Sequence, residues 1–272
     1  MIKQFAVVSF CFILLMVPHL AQANVMVSPI YVIFDNRMRS AEVTLLNTSD
    51  ETNVYRLSWA YNRQKEDGSY ESLKEPLPGT PDLASMIRFS PRQITIPPQG
   101  RQSVRLHLQR PSDLPDGEYR IHLTFQQLPK ETPLPRHEGP GITMGMRVAI
   151  GVSIPVVVRQ GEYDAQAKIV DARFVPPAKE EGINNPALMV KVARTGKHGT
   201  YGRLRVFWNN GEKQEEVGLL NNFAVYAENS ARSAKVPMNT RSIPSGTLHL
   251  IYEGDGPQRG KIFAEQEIKI GK

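Results

Sequence analysis

The side chains best suited to metal binding or proton transfer are six histidines, at positions 19, 107, 122, 137, 198 and 249. No two have the i, i+4 spacing that places two imidazoles on one face of a helix. His137 precedes Glu138 without a second histidine nearby, and the sequence has neither a Gly-x-Ser-x-Gly elbow nor a phosphate-binding glycine loop. A Ser/His/Asp triad assembled from distant positions stays open. The sequence favours a protein that is not an enzyme and needs no metal, cofactor or small-molecule substrate.

A run of alternating apolar residues is the other candidate for a functional segment. Large apolar side chains occupy its even positions: Ile142, Met144, Met146, Val148, Ile150, Val152, Ile154, Val156 and Val158. A period of two predicts a strand with one apolar face, and 17 residues would extend over roughly 55 Å, wider than a small domain. Exposed edges are normally protected by charge, yet the apolar half carries only Arg147.

Two interpretations of this run are open. Either it is an ordinary strand of a buried sheet, or part of it is an edge that is kept available for another polypeptide. We favour the second, with Ile154, Val156 and Val158 predicted to lie in the protein's own core. The methionines support it, because their adaptable side chains suit surfaces that accept several partners.

The rest of the chain consists of short alternating runs separated by Pro, Gly and Asn turns, with almost no helical periodicity. This pattern is typical of an all-β fold. We predict two immunoglobulin-like β-sandwich domains in tandem, an N-terminal domain at 24–158 and a C-terminal domain at 159–272, angled about a short hinge.

Several local elements can be predicted within these domains. Strands are expected at 25–34 and 84–89, among others, with an irregular crossover at 63–83. The Pro-rich segment 129–140 is expected to be a mobile loop that leads into the alternating run. Asn210-Gly211 between two apolar runs is a strong hairpin signal.

The N-terminus has the features of a secretory signal peptide. A basic start with Lys3 precedes an apolar stretch, which ends in Ala21-Gln-Ala23. Cleavage after Ala23 would leave 249 of the 272 residues and remove the only cysteine, Cys11, so no disulfide is expected. An uncleaved anchor is the alternative. The net charge of +6 comes from scattered basic residues, which argues against nucleic-acid binding.

Three motifs, in this order and spacing, resemble a known family. The first is Ile33-Phe34-Asp35 followed by Ala41 to Asn47; the second runs from Ser90-Pro91 to Gly100; the third is Leu114 to Tyr119, which precedes the Pro-rich loop. Together with the long alternating strand, they resemble the periplasmic chaperones of the chaperone–usher pilus pathway.

The resemblance implies a function, a set of partners and a location. Such a chaperone would act in the periplasm, where it would bind pilin or fimbrial subunits, stabilise them and deliver them to an outer-membrane usher for pilus assembly. Its alternating strand would complete the unfinished fold of the subunit, a β-strand addition. The implied donor side chains are Met144, Met146, Val148 and Ile150, with Val152 adjoining them. Self-association through the open edge is a further expectation.

The chain departs from the family at one implied site and matches it at another. The family holds the terminal carboxylate of its subunit with an arginine and a lysine in the cleft between the domains, whereas Tyr31 and Pro155 occupy those positions here. We expect Tyr31 to line the cleft still. Glu118 and Arg159 match an interdomain ion-pair network at the hinge, with Asp255 as a third partner.

Two other function classes are weighed against this one. An exported immunoglobulin-like structural subunit or adhesin of a surface fibre would usually carry a donor extension at its N-terminus, and 24–29 is too short for one. An enzyme on the same scaffold is disfavoured by the missing catalytic cluster.

Overall fold

The computed structural model describes residues 25–129, 151–177 and 185–271, which are mostly β-strand. The helical segments within these ranges are short: α1 (Leu83–Met86) and a 3₁₀ turn (Gly256–Gln258). No helix in the described ranges is long and apolar enough to cross a membrane. The predicted signal peptide at 1–23 lies outside the described residues, as does most of the Pro-rich loop.

The first half of the chain forms two facing sheets. One sheet has the strand order β1 (Val25–Ser28), β3 (Ser40–Asn47), β8 (Arg101–Leu108), β6 (Ile87–Ser90). The other has the order β2 (Val32–Phe34), β10 (Gly151–Gln160), β9 (Gly117–Gln127), β4 (Asn53–Gln64), β5 (Tyr70–Leu73), with β7 (Gln93–Ile96) also paired to β4. Alternate residues of both sheets fill one core between them. Ile154, Val156 and Val158 are buried there, as predicted.

The predicted strand at 25–34 is wrong as a single element, because it forms two strands in different sheets. β1 pairs with β3 in one sheet, whereas β2 runs parallel to β10 in the other. Pro29 lies between them, and proline has no backbone N–H with which to continue a ladder. The chain therefore changes sheets at this point.

Two further predictions for the first half are wrong in detail. Segment 84–89 begins as helix α1, whose N-cap Asp82 accepts a backbone N–H hydrogen bond at 2.9 Å, and only its later residues belong to β6. The expected crossover at 63–83 contains the end of β4 and a hairpin to β5. Gly68 allows this turn because its φ of +85° lies in the left-handed region that favours glycine.

The second half also forms two sheets. One has the order β11 (Gln166–Val175), β12 (Ala187–Thr195), β15 (Ala231–Pro237). The other has the order β14 (Gln214–Val225), β13 (Thr200–Asn209), β16 (Gly246–Gly254), β17 (Ile262–Ile270). The predicted hairpin at Asn210-Gly211 is confirmed, since it joins β13 to β14.

The two halves are immunoglobulin-like sandwiches in tandem, and each has its own core. Residues 161–165 connect β10 to β11. A third, smaller apolar cluster lies between the halves and contains Ile33, Val157, Tyr201, Ala224 and Tyr226. The domain boundary between 158 and 159 stays a prediction; it falls within β10, which continues to Gln160.

Candidate functional site

The alternating run enters the described residues at Gly151, where β10 begins. On one side β10 pairs with β9 along its whole length, from Gly151 opposite Gln126 to Gln160 opposite Gly117. On the other side β2 pairs only with residues 156–158. Within the described ranges no strand pairs with residues 151–155 on that side. We call residues 151–155 the open stretch.

The side chains of the open stretch alternate between the core and the opposite face of the sheet. Val152 is half-buried and Ile154 is buried, so this face anchors the strand in its own sandwich. On the opposite face, the Ser153 hydroxyl lies 3.0 Å from that of Thr124 on β9, and Pro155 follows. Proline fits here because its missing N–H is tolerated on an unpaired edge. Four predicted donor residues lie outside the described residues and stay a prediction: Met144, Met146, Val148 and Ile150.

A buried ion pair lies where β10 reaches the second half. Arg159 Nε donates to Glu118 Oε2 at 2.8 Å, and the two side chains are 6% and 1% exposed. From the second half, the Tyr201 hydroxyl donates to Glu118 Oε1 at 2.8 Å, and Gln258 Oε1 accepts from Arg159 Nη1 at 2.8 Å. Burial raises the pKa of Tyr201, so its phenol keeps the proton that it donates. Glu118 and Arg159 therefore pair across β9 and β10, and their contacts with Tyr201 and Gln258 reach the second sandwich; a role of this pair in a hinge stays a prediction.

Asp255 lies close to this ion pair without joining it. Its carboxylate is 3.6 Å from Arg259, which is four residues further along the chain, and both side chains are substantially exposed. Its backbone N–H donates to the Tyr201 carbonyl at 3.0 Å. Gln258, a neutral side chain, contacts Arg159 where a third charged partner had been expected.

A second ion pair, between Arg120 and Glu228, also bridges the halves. Arg120 Nη2 donates to the Asn62 carbonyl at 2.9 Å, and its guanidinium lies 3.9 Å from the centre of the Tyr226 ring. His122 accepts from Arg120 Nη1 at 3.0 Å. Burial, and then the charge of Arg120, lower the pKa of His122 to about 3, so this histidine is neutral.

The hairpin of β4 and β5 makes a further contact across the halves. The Glu66 carbonyl accepts from the Ser233 N–H at 2.7 Å, and its carboxylate lies 2.5 Å from Lys191 Nζ. Asn229 Nδ2 donates to Gln64 Oε1 at 3.3 Å. The two sandwiches are thus joined at several points.

A cavity of about 160 Å³ lies between the sandwiches at the end of the open stretch. We call it the cleft pocket; its lining includes Ile30, Tyr31, Pro155, Tyr201, Phe223, Tyr226 and Asp255. The structure therefore brings Tyr31 and Pro155 to the same pocket, although they are far apart in sequence. Burial, followed by the nearby charge of Asp255, raises the pKa of Tyr31.

Sequence reasoning did not find the residues that the second half contributes to this site. Tyr201, Tyr226 and Glu228 carry no motif, and only the fold brings them to β9 and β10. One signal was present: Val157 is the only large apolar residue at an odd position of the alternating run. A large apolar residue at an odd position indicates that the opposite face of the strand is also packed at this point. Val157 is indeed buried in the cluster between the halves.

No protein-family model matches the sequence, and no curated protein matches it either. Solved structures of pilus chaperones are similar to it. One is in the CsuC–CsuE chaperone–tip adhesion subunit pre-assembly complex of Acinetobacter baumannii, with 13% identity over 90% of this chain and 98% of that chain, and a TM-score of 0.47. The E. coli chaperone DraB has 13% identity over 91% and 96% of the two chains, with a TM-score of 0.44. The complex of the Salmonella enterica SafA pilin with the SafB chaperone gives 13% identity, 92% and 97% coverage, and a TM-score of 0.42.

Proposed function

We propose that this protein is a periplasmic chaperone that binds pilin-like subunits by strand addition along β10 and the alternating run before it. The observation that carries the proposal is the open stretch, which among the described residues is paired only with β9, on one side, and which follows the run at 142–150 in the sequence. An exposed edge is a template for another chain, because its N–H and C=O groups lack partners. Strand addition uses these groups for affinity and alternate side chains for specificity.

The energy for binding would come from the apolar face of the run. Met144, Met146, Val148 and Ile150 would each contribute roughly 1.5–3 kcal/mol on burial, on the order of 10 kcal/mol gross for the four. The conformational entropy that the partner loses when it becomes ordered opposes this gain in free energy. Because β9 pairs with β10 throughout and the core holds Ile154, the base of the donor strand is fixed in advance.

The proposal includes a location, partners and the absence of a chemical step. Residues 1–23 would direct export, and the mature protein would act in the periplasm. It would bind one subunit without a nucleotide and transfer it to an outer-membrane usher. A chaperone of this kind acts by binding alone. The candidate site, which consists of a strand edge, aromatic rings and paired charges, is consistent with such a role.

Co-expression with the neighbouring pilin genes tests the proposal. The exported protein should be isolated as a stable one-to-one heterodimer, measured by size-exclusion chromatography with mass determination. Replacing Met146 and Val148 together by glutamate should abolish the complex, because two charges would be buried without partners. Val170→Glu is the matched control, since Val170 is a 49% exposed apolar residue of β11, in the other sandwich.

Two results would contradict the proposal. One is full capture of the subunit by a folded double glutamate variant. The other is isolation of the wild-type protein only as a monomer while the subunits are present, which would favour the exported structural subunit or adhesin instead.

A further inference from the structure

The cleft pocket lies where an added strand would have to stop. Such a strand can pair with β10 only along the open stretch, because β2 occupies the edge from residue 156 onward. Pro155 is the last residue of the open stretch and also lines the cleft pocket. At about 3.3 Å per residue, the next residue of the added strand would be within reach of the cavity.

The size and walls of the cleft pocket fit one ring-sized apolar group. Its volume is about 160 Å³, and a dry apolar cavity of about 150 Å³ is enough to bind benzene. Tyr31, Tyr201, Phe223 and Tyr226 place aromatic rings around it. The rings of Tyr201 and Tyr226 lie 5.5 Å apart at 70°, edge to face, and the Tyr31 ring centre lies 6.2 Å from that of Tyr201, so the lining is an aromatic cluster of the kind that favours another ring.

The charges around the cleft pocket disfavour an anion. Among its described lining residues, Asp255 is the only one with a charged side chain. The arginines Arg120, Arg159 and Arg232 lie near the cavity but do not line it. Arg120 and Arg159 are each paired with a glutamate. Arg232 packs on the ring of Phe223, 4.7 Å from its centre, and donates to the Ala224 carbonyl at 2.9 Å. A carboxylate in this cavity would be removed from water beside Asp255 and without a cation among the lining side chains, which is costly.

We propose that the cleft pocket receives an uncharged, ring-sized apolar side chain from the end of the added strand, and does not receive a terminal carboxylate. This inference rests on the proposed chaperone function and specifies the chemistry of its partner. A subunit recognised by this protein would therefore carry an aromatic or large aliphatic residue where its paired strand reaches Pro155.

Two small probes test the chemistry of the pocket in the intact mature protein. p-Cresol and 4-hydroxybenzoate share a phenol ring. At the para position p-cresol has a methyl group and 4-hydroxybenzoate has a carboxylate. Titration followed by NMR should show p-cresol binding at least about tenfold more tightly, with shifts at tyrosine signals of the cleft pocket. Equal or tighter binding of 4-hydroxybenzoate would overturn the proposal.

Substitutions at the rim test the use of the pocket by a subunit. Ile30 lines the cleft pocket and is 48% exposed, so Ile30→Trp should narrow the pocket without disturbing a core. Ile262, 50% exposed on β17, supplies the matched control Ile262→Trp. Tyr31→Ala removes a ring from the wall instead. Ile30→Trp and Tyr31→Ala should each weaken subunit binding about tenfold, and Ile262→Trp should leave it unchanged.

The outcomes separate this inference from the function on which it rests. Unchanged subunit binding in both Ile30→Trp and Tyr31→Ala, while wild-type protein captures the subunit, would overturn the role of the pocket and leave the chaperone function standing. No capture by the wild-type protein would overturn both.

Discussion

The buried pair of Glu118 and Arg159 gives the sharpest prediction about how the two sandwiches are held together. Replacing Arg159 by methionine keeps most of its length and removes its charge. Glu118, 1% exposed, would then keep the Tyr201 hydroxyl as a hydrogen-bond donor but lose its cation. Gln258 would lose its contact with the guanidinium at the same time.

The expected loss of stability is large because the remaining charge is buried. Removing one partner of a buried ion pair costs about 3–5 kcal/mol, whereas an exposed pair contributes about 0–1 kcal/mol. For a protein of this size, such a loss lowers Tm by roughly 10 °C. The guanidinium also lies over the rings of Tyr163 and Tyr201, at 4.7 and 5.2 Å from their centres, and methionine keeps only the apolar part of that packing.

Urea denaturation and calorimetry of three variants measure this prediction. Arg159→Met should lose about 3–5 kcal/mol. Adding Glu118→Gln should recover most of that loss, because glutamine is neutral and still accepts the hydrogen bond of Tyr201. Arg63→Met is the exposed control, since Arg63 pairs with Glu71 at 3.0 Å and both are about half exposed. A loss below about 1 kcal/mol for Arg159→Met, or no recovery in the double variant, would refute the reasoning.

Two further predictions concern stability within the first sandwich. His122 has a folded pKa of about 3 against 6.5 for the free side chain, so between these values the unfolded chain binds a proton that the folded protein does not. The free energy of unfolding should fall by about 2 kcal/mol as the pH falls from 6.5 to 5. Urea denaturation of His122→Gln should show no such dependence on pH. The same dependence in the variant would show that His122 is not its source. Asn47 is fully buried and donates to the carbonyls of Glu51 and Ile96 at 2.7 and 3.0 Å. Asn47→Ala should cost about 3 kcal/mol by urea denaturation, and a cost under about 1 kcal/mol would show that these carbonyls find other partners.

Local patterns predicted the strands and several turns, because a two-residue period and an Asn-Gly turn depend on neighbouring residues only. The apolar alternation correctly placed Ile154, Val156 and Val158 in the core. It could not show that the chain changes sheets at Pro29, because apolar residues before and after that point face the same core. Periodicity reports which face of a strand is buried and says nothing of the sheet to which it belongs.

The charged part of the site was predictable in part and its aromatic part was not. Glu118 and Arg159 lie on strands whose position the sequence indicated, and they face each other in the register of β9 and β10. Tyr31 and Tyr201, by contrast, belong to different sandwiches and meet only through the packing of the two halves, with ring centres 6.2 Å apart. No local pattern encodes such a contact, since it depends on how the two sandwiches are oriented.

The contacts at the end of β10 bear on the energy of the strand addition that we propose. The Arg110 guanidinium donates to the carbonyls of Arg159 and Asp35, both at 2.6 Å, and His198 Nε2 lies 3.1 Å from the Gln160 carbonyl. These bonds hold residues 159 and 160, which lie beyond the residues of β10 that β2 covers. Fixing the backbone of a residue costs about 1–2 kcal/mol. Because β9, the core and these polar contacts have already fixed residues 151–160, binding a partner along the open stretch adds no such cost for them, and more of the interaction energy remains as affinity.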